Sequence, residues 1–227
     1  MWPPAYTVKK HKRAKYVKFR ASLQHGLQIT VPYRFNLNML PGILDEHKDW
    51  IVGQLAKLPQ PLSELPSEIV LSAINETWKV FYLKTSTVPR IIKRPGNEIV
   101  LMGDTDNKPL CQRYLVAWVK RYAKQILPLQ LEQISQLAGL PYQGVRVKDQ
   151  KTLWGSCTAN KMINLNYKLL FLPMKLMQHV LIHELCHTMH MNHSSRFWAL
   201  VQRFDACSDE NKKLLKKGDT YMPGWLV

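Results

Sequence analysis

A chain of 227 residues with 46% hydrophobic composition can bury a core without disulfide staples, and its length suits one domain of two lobes or one domain with an appended arm. No apolar run approaches the roughly 18 to 20 residues that span a bilayer. No apolar segment follows Met1-Trp2-Pro3-Pro4 as a secretory signal requires. Four scattered cysteines without a CxxC pair argue against a disulfide framework, so a soluble cytoplasmic protein with no membrane partner is expected. The net charge of +16 is unevenly placed: no acidic residue precedes Asp45, whereas Lys9, Lys10, Lys12, Arg13, Lys15, Lys18, Arg20 and Arg34 all do. Such a field draws polyanions, which makes DNA or RNA a candidate partner of this basic N-terminal region. The plainer reading is a solvated basic tail that keeps the chain soluble.

Residues 1–14 read as a basic flexible arm. Residues 16–23 and 27–31 alternate around His25-Gly26, the pattern of a β-hairpin. Residues 40–58 predict one helix, with Trp50, Ile51, Leu55 and Leu58 at helical spacing, and the Pro-rich stretch 59–66 predicts a loop. Three β-rich runs follow at 68–71, 77–83 and 98–102. Residues 15–106 therefore form an expected β-rich lobe with one helix, and residues 107–227 a second domain of different character.

In that second domain residues 108–138 read as helical, with Pro128 expected to divide them into two helices. Residues 145–148 and 162–172 predict strands. In the latter Ile163, Leu165 and Tyr167 alternate with Asn164, Asn166 and Lys168, which implies one apolar face and one polar face. The polar face suits either solvent or an extended peptide paired to a sheet edge. Pro173 can open a helix running to His190, because Leu176, Val180, Leu181, Leu185 and Met189 recur at helical spacing. Ser194 and Ser195 can cap a following helix that contains Phe197 and Trp198.

The 173–190 helix carries His183-Glu184-Leu185-Cys186-His187, an HExxH motif. Histidines four apart lie one turn apart on one helix face, so both imidazoles can reach a single metal ion. Glu184 sits about 100° round from His183, where it can touch a metal-activated water without ligating the metal. Zinc lowers the pKa of such a water to about 7, and a neighbouring carboxylate accepts its proton during attack.

A catalytic zinc site needs a third protein ligand. His190 shares the helical face, but on an unbroken helix it lies seven residues and roughly 10 Å along the axis from His183. That is too far for nitrogen atoms that must sit about 3.4 Å apart around one ion. His193 avoids this difficulty if the chain turns at Met191-Asn192. Asp205, Asp209 and Glu210 remain open as carboxylate alternatives. His179 and His190 read as flanking groups or ordinary surface histidines. Cys186 reads as a core thiol and Cys157 as a small side chain in a tight turn. Trp154 is expected to fill the core.

Trp154-Gly155-Ser156-Cys157, Ile163-Asn164-Leu165-Asn166, the HELCH motif, Met191-Asn192-His193-Ser194 and Phe197-Trp198 together resemble the YgjP-like metallopeptidase family. That family is related to the SprT and WLM zinc peptidases, whose members include proteases acting on DNA-bound proteins. The resemblance runs from about residue 15 to the end of the chain and is most specific from Trp154 to Trp198. It implies an α+β fold with a zincin-like core, an active-site helix packed on a small sheet, joined to the N-terminal β-rich lobe. It implies Zn2+ held by His183, His187 and His193, Glu184 as general base, and a protein or peptide substrate. The segment Trp154–Cys157 is implied to lie beside the active-site helix. Leu153 stands where family members usually carry a basic residue, and Asn160-Lys161 where they often have a glycine.

Three functions follow in order of preference. The first is a metallopeptidase, for which nucleic-acid-associated proteins are one candidate substrate. The second is a metal-dependent phosphoester or nucleotide hydrolase, and the third a non-catalytic nucleic-acid-binding module. For the peptidase, Tyr167, His179 and Arg196 are the candidates for oxyanion stabilisation. The sequence carries no signal for an oligomeric state.

Overall fold

In the N-terminal part the apolar alternation Leu27, Ile29, Val31 selects a strand with one buried face, and all three side chains are essentially inaccessible. The computed structural model describes residues 2–22, 26–56 and 64–226. The chain forms two compact units, one reaching to Ser63 and one from Glu64 to Leu226.

The first unit is a three-stranded sheet of β1 (Tyr6–His11), β2 (Lys18–Ser22) and β3 (Gly26–Pro32), in the order β1-β3-β2. β2 runs antiparallel to β3, and β1 lies parallel to it with Tyr6 opposite Leu27. Helices α1 (Leu40–Glu46) and α2 (Lys48–Ala56) contribute Leu40, Leu44 and Ile51 to the core beneath β3. The expected flexible arm over 1–14 is thus corrected, because Tyr6–His11 forms a strand. Its six side chains are all exposed, so pairing to the free edge of β3, and not side-chain burial, holds it there. The expected single helix 40–58 is two helices broken at His47, whose ring nitrogen Nδ1 lies 3.0 Å from the Ile43 carbonyl. Its end at 57–58, the hairpin tip around His25 and the Pro-rich loop at 59–63 lie outside the described residues.

The second unit begins with a four-stranded sheet of β4 (Glu68–Leu71), β5 (Glu76–Lys84), β6 (Arg90–Arg94) and β7 (Glu98–Gly103) in the order β4-β5-β7-β6. Only β5 and β7 run parallel within it. The strand β6 is not expected from the sequence, because its RIIKR pattern is mostly exposed and shows no clear alternation. Helix α3 (Lys108–Ala138) packs against this sheet: Trp78 meets Trp118 edge-on at 5.0 Å, and Tyr122 donates to Glu76 at 2.7 Å. Because that packing joins β4–β7 to α3, the compact boundary falls after residue 63 and not near residue 106 as the sequence suggested.

Asn107 caps α3 by accepting from the Leu110 amide, and Gly139 ends it at a φ of +65° that a glycine adopts without strain. Pro128 does not divide the helix. It forfeits one intrahelical hydrogen bond, but Leu127 and Leu131 on either side are fully buried and hold the continuing turns to the core.

A second sheet of β8 (Gly144–Lys148), β9 (Gly155–Cys157) and β10 (Met162–Asn166) follows in the order β8-β10-β9, which makes β9 an edge strand. The expected strand 162–172 ends at Asn166 and continues as a 3-10 turn, Tyr167–Phe171, capped by the Asn166 side chain. The expected polar strand face is also corrected. Asn164 donates to Ser156 Oγ at 3.1 Å, and Asn166 donates to the carbonyls of Gln150 and Leu153 at 2.8 and 2.9 Å. Both amides are buried and paired within the chain, Asn164 to the neighbouring strand β9 and Asn166 to the segment 150–153, so neither faces solvent. The fold closes with helices α4 (Met174–Cys186), α5 (Ser195–Phe204) and α6 (Ser208–Leu215). α4 packs on β9, α5 and α6. The class is mixed α+β, and no helix among the described residues is long and apolar enough to cross a membrane.

Candidate metal centre

Helix α4 begins behind Pro173, and its apolar residues Leu176, Met177, Val180, Leu181 and Leu185 are buried, which fixes its rotation. That rotation turns His183 and Glu184 toward the sheet-and-helix surface around β9 and α5. The helix ends at His187, its C-cap, so the second histidine of the motif sits where the chain leaves the helix. The Thr188 hydroxyl then donates to the Leu185 carbonyl at 2.8 Å, and the His190 amide returns to the Cys186 carbonyl at 3.0 Å. This tight exit carries the chain to Ser194, whose hydroxyl caps α5 by accepting from the Phe197 amide. His193, the residue just before that cap, is thereby delivered back to the end of α4.

His183 Nε2 lies 3.2 Å from His187 Nε2 and 3.1 Å from His193 Nε2. The three ligand atoms fall within 4.8 Å of one another, and no other group of three or more candidate ligands is found among the described residues. Nitrogen atoms bound at about 2.0–2.1 Å around a tetrahedral ion are separated by about 3.4 Å, close to these spacings. His187 Nδ1 lies 3.0 Å from the His190 carbonyl oxygen; a hydrogen bond there places the proton on Nδ1 and leaves the Nε2 lone pair facing the other rings. His190 thus contributes its backbone carbonyl.

Phe197 is fully buried and forms the floor. Its ring stacks on His187 at 4.5 Å and meets His183 and His193 edge-on at 4.9 and 4.8 Å. Trp198 stacks on His193 at 5.6 Å, with the Lys212 ammonium 3.8 Å above its indole. Burial first, then the neighbouring His187 and His193, pull the His183 imidazole down to about 3, so it stays neutral and able to ligate at ordinary pH. His187 is lowered for the same leading reason.

Glu184 is 5% exposed and lies against β9, and its Oε2 has no hydrogen-bond partner among the described residues. Burial pushes its carboxyl up to about 8. A Cβ at Gly155 would stand 2.7 Å from Glu184 Oε1, so only glycine lets the strand approach this carboxylate. Cys157 is half-buried nearby, and burial followed by the Glu184 charge raises its thiol to about 11. Cys186 is buried on the core side of α4.

The alternative ligands are elsewhere. Asp205 Oδ2 sits 2.6 Å from His179 Nδ1, and its carboxylate also accepts from the Cys207 amide and from Asn211. Asp205 is therefore committed to an α4–α5–α6 junction. His179 is corrected from a surface residue to a buried one, 3% exposed. Glu210 pairs with Lys175 at 3.4 Å, away from the three imidazoles. Trp154 is half-buried and borders a cleft, which corrects the expectation that it fills the core. The roles of Gly155 and Phe197 were not legible as such, since both depend on the approach of distant segments.

A convergent trio of imidazoles beside a buried, unpartnered carboxylate is the donor chemistry of a borderline metal such as zinc, and these residues fit it. The family description YgjP-like, metallopeptidase domain, matches residues 15–218. The chain belongs to this metallopeptidase family, which is metal-dependent. A solved structure with 28% identity is the metallopeptidase zymogen of Pyrococcus abyssi abylysin. The match covers 38% of this chain and 90% of that one, with a TM-score of 0.34. Among curated proteins no sequence matches the chain.

Proposed function

We propose that the chain is a zinc peptidase in which His183, His187 and His193 hold the ion and Glu184 is the general base. The carrying observation is the approach of His187 Nε2 and His193 Nε2 to 3.2 and 3.1 Å from the Nε2 of His183, on whose helix the next residue is a buried carboxylate. Zinc held there would supply Lewis acidity toward a carbonyl oxygen and lower the pKa of water.

The protein's own residues do the rest. Glu184 takes a proton from the attacking water as its oxygen bonds to the peptide carbonyl carbon. Glu184 then returns that proton to the leaving nitrogen as the C–N bond breaks. The low-dielectric setting that raises its carboxyl makes it a stronger base than an exposed glutamate. An extended substrate pairing with the free edge of β9 would run past Gly155 and so past this carboxylate. Phe197 fixes the three rings from below, and the His190 carbonyl orients His187.

Two further readings belong with this one. The basic first unit, with exposed Tyr6, Tyr16, Tyr33 and Trp50, suits contact with DNA or RNA, which would bring nucleic-acid-associated proteins to the site as substrates. All four cysteines are free, which fits the reducing cytoplasm.

Metal analysis with peptide turnover tests the core of the proposal. The wild type should hold one zinc and Glu184→Gln should retain it while turnover drops by about 10²- to 10⁴-fold. His193→Ala should lose stoichiometric zinc. Full turnover in the Gln variant, or undiminished zinc in the Ala variant, refutes the assignment.

A further inference from the structure

Residues 150–154 lead into β9 and, with the end of α6, border a cleft of about 410 Å³. Lys151, Lys168, Lys212 and Lys216 stand around it, opposed by one carboxylate, Asp219. None of the four lysines makes an ion pair among the described residues, where the salt bridges involve Lys84, Lys120, Lys175 and His179 instead. Four like charges around one cavity repel each other, so an anionic guest relieves a tension the fold itself leaves standing. The walls are built, not incidental. Asn166 pins the rim through the Gln150 and Leu153 carbonyls, and the Trp154 indole lies so close to Gly218 that a Cβ there would meet it at 2.5 Å.

The cleft adjoins the metal centre on two sides. Trp154 precedes Gly155, the residue that touches Glu184. Lys212 covers Trp198, which stacks on His193. A peptide lying along β9 therefore reaches the cleft within a few residues of its reacting carbonyl.

We propose that this cleft is a substrate subsite for a carboxylate, from an acidic side chain or a free peptide C-terminus, a few residues from the scissile bond. The inference rests on the peptidase reading above. A bounded hollow of about 410 Å³ with Trp154 as an apolar wall admits a carboxylate on a short stem together with the adjoining peptide. A nucleic-acid backbone asks instead for an extended open stripe.

The test uses the full-length, zinc-loaded Glu184→Gln protein and fluorescence anisotropy with decapeptides. A Glu or a Gln is walked through every position, and each peptide is made with a free and an amidated C-terminus. Glu should bind about tenfold tighter than Gln at one position, or free acid tighter than amide, at low salt. The free-acid arm separates a chain terminus from a side chain as the source of the carboxylate. Lys168→Glu with Lys216→Glu should abolish or invert that ratio, and Lys151→Glu on the exposed rim should shift it in the same direction. Equal affinities throughout, or a preference that survives these changes, overturn the proposal. So does a single-stranded oligonucleotide whose binding is lost in the Lys168→Glu, Lys216→Glu protein while peptides show no preference. The wild-type enzyme, offered the same peptides, separates the two readings. Preferential binding without cleavage fails the peptidase and keeps the subsite, whereas cleavage without preference does the reverse.

Discussion

Glu184 and Gly155 illustrate how closely single side chains are specified here. The carboxylate lies in van der Waals range of strand backbone, and any Cβ at position 155 would overlap its oxygen and carboxyl carbon at 2.7 to 2.9 Å. Gly155→Ala should therefore cost about 1–3 kcal/mol in stability, through overpacking. It should also lower kcat more than zinc content, because the proposed base is displaced while the imidazoles are not. Thermal unfolding with metal analysis and steady-state kinetics would check this.

The same burial gives a pH signature in the metal-free protein. The folded-state Glu184 value, about 8, lies above its ordinary 4.5, so the stability of the buried neutral acid is full below 4.5 and is lost as pH rises through 8. Glu184→Gln removes that loss. Its melting temperature should pull ahead of the wild type between pH 4.5 and 8 and stay ahead above. His183 acts in the opposite window. Its folded value of about 3 lies below 6.5, so an unfolded chain gains a proton that the fold refuses, and stability falls as pH drops from 6.5 toward 3. Parallel melting curves for the two proteins across pH 4.5 to 8 would contradict the Glu184 assignment.

Among elements, the junction of α4, α5 and α6 is held by one largely enclosed carboxylate. Asp205 joins His179 of α4, the Cys207 amide and Asn211 of α6, while sitting at the C-cap of α5. Asp205→Ala leaves His179 and Asn211 without these partners, a loss of about 1–3 kcal/mol or more. Since His183 lies on α4, His187 at its C-cap and His193 just before the cap of α5, zinc affinity should fall along with the melting temperature. Unchanged zinc affinity would mean that the junction supports only the fold. Element boundaries show a related lesson. Pro128 marks a helix break in isolation, yet buried Leu127 and Leu131 carry α3 through it, because tertiary packing outweighs one missing hydrogen bond. Asn164 and Asn166 read as an exposed polar face and are buried, because only the folded chain brings Ser156, Gln150 and Leu153 to them.

At the scale of the molecule, the charge of +16 is the dominant long-range feature. Since β1 is paired into a sheet, deleting the N-terminal residues would test folding as much as charge. Lys9→Gln, Lys10→Gln and Lys12→Gln are the cleaner change, since these side chains are exposed. Binding to single-stranded DNA or RNA should weaken, and the slope of log K against log salt should shrink by about 0.7 for each phosphate no longer neutralised. An unaltered slope would assign this surface to solubility alone.

The metal motif, the capping serine before α5, the apolar face of α4 and most strands of the larger sheet were legible in the chain itself. Each is a local pattern, a spacing of three, four or two residues set by backbone geometry. Spacing could exclude His190 as a ligand by distance along a helix but could only leave His193 open among the carboxylates. The exit from α4 and the Ser194 cap decided where His193 goes, and the Asp205–His179 pair decided where Asp205 goes. The glycine against Glu184, the phenylalanine beneath the imidazoles and the lysine-lined cleft belong to tertiary structure alone. They join segments tens of residues apart, and no periodicity in one segment encodes its distance from another.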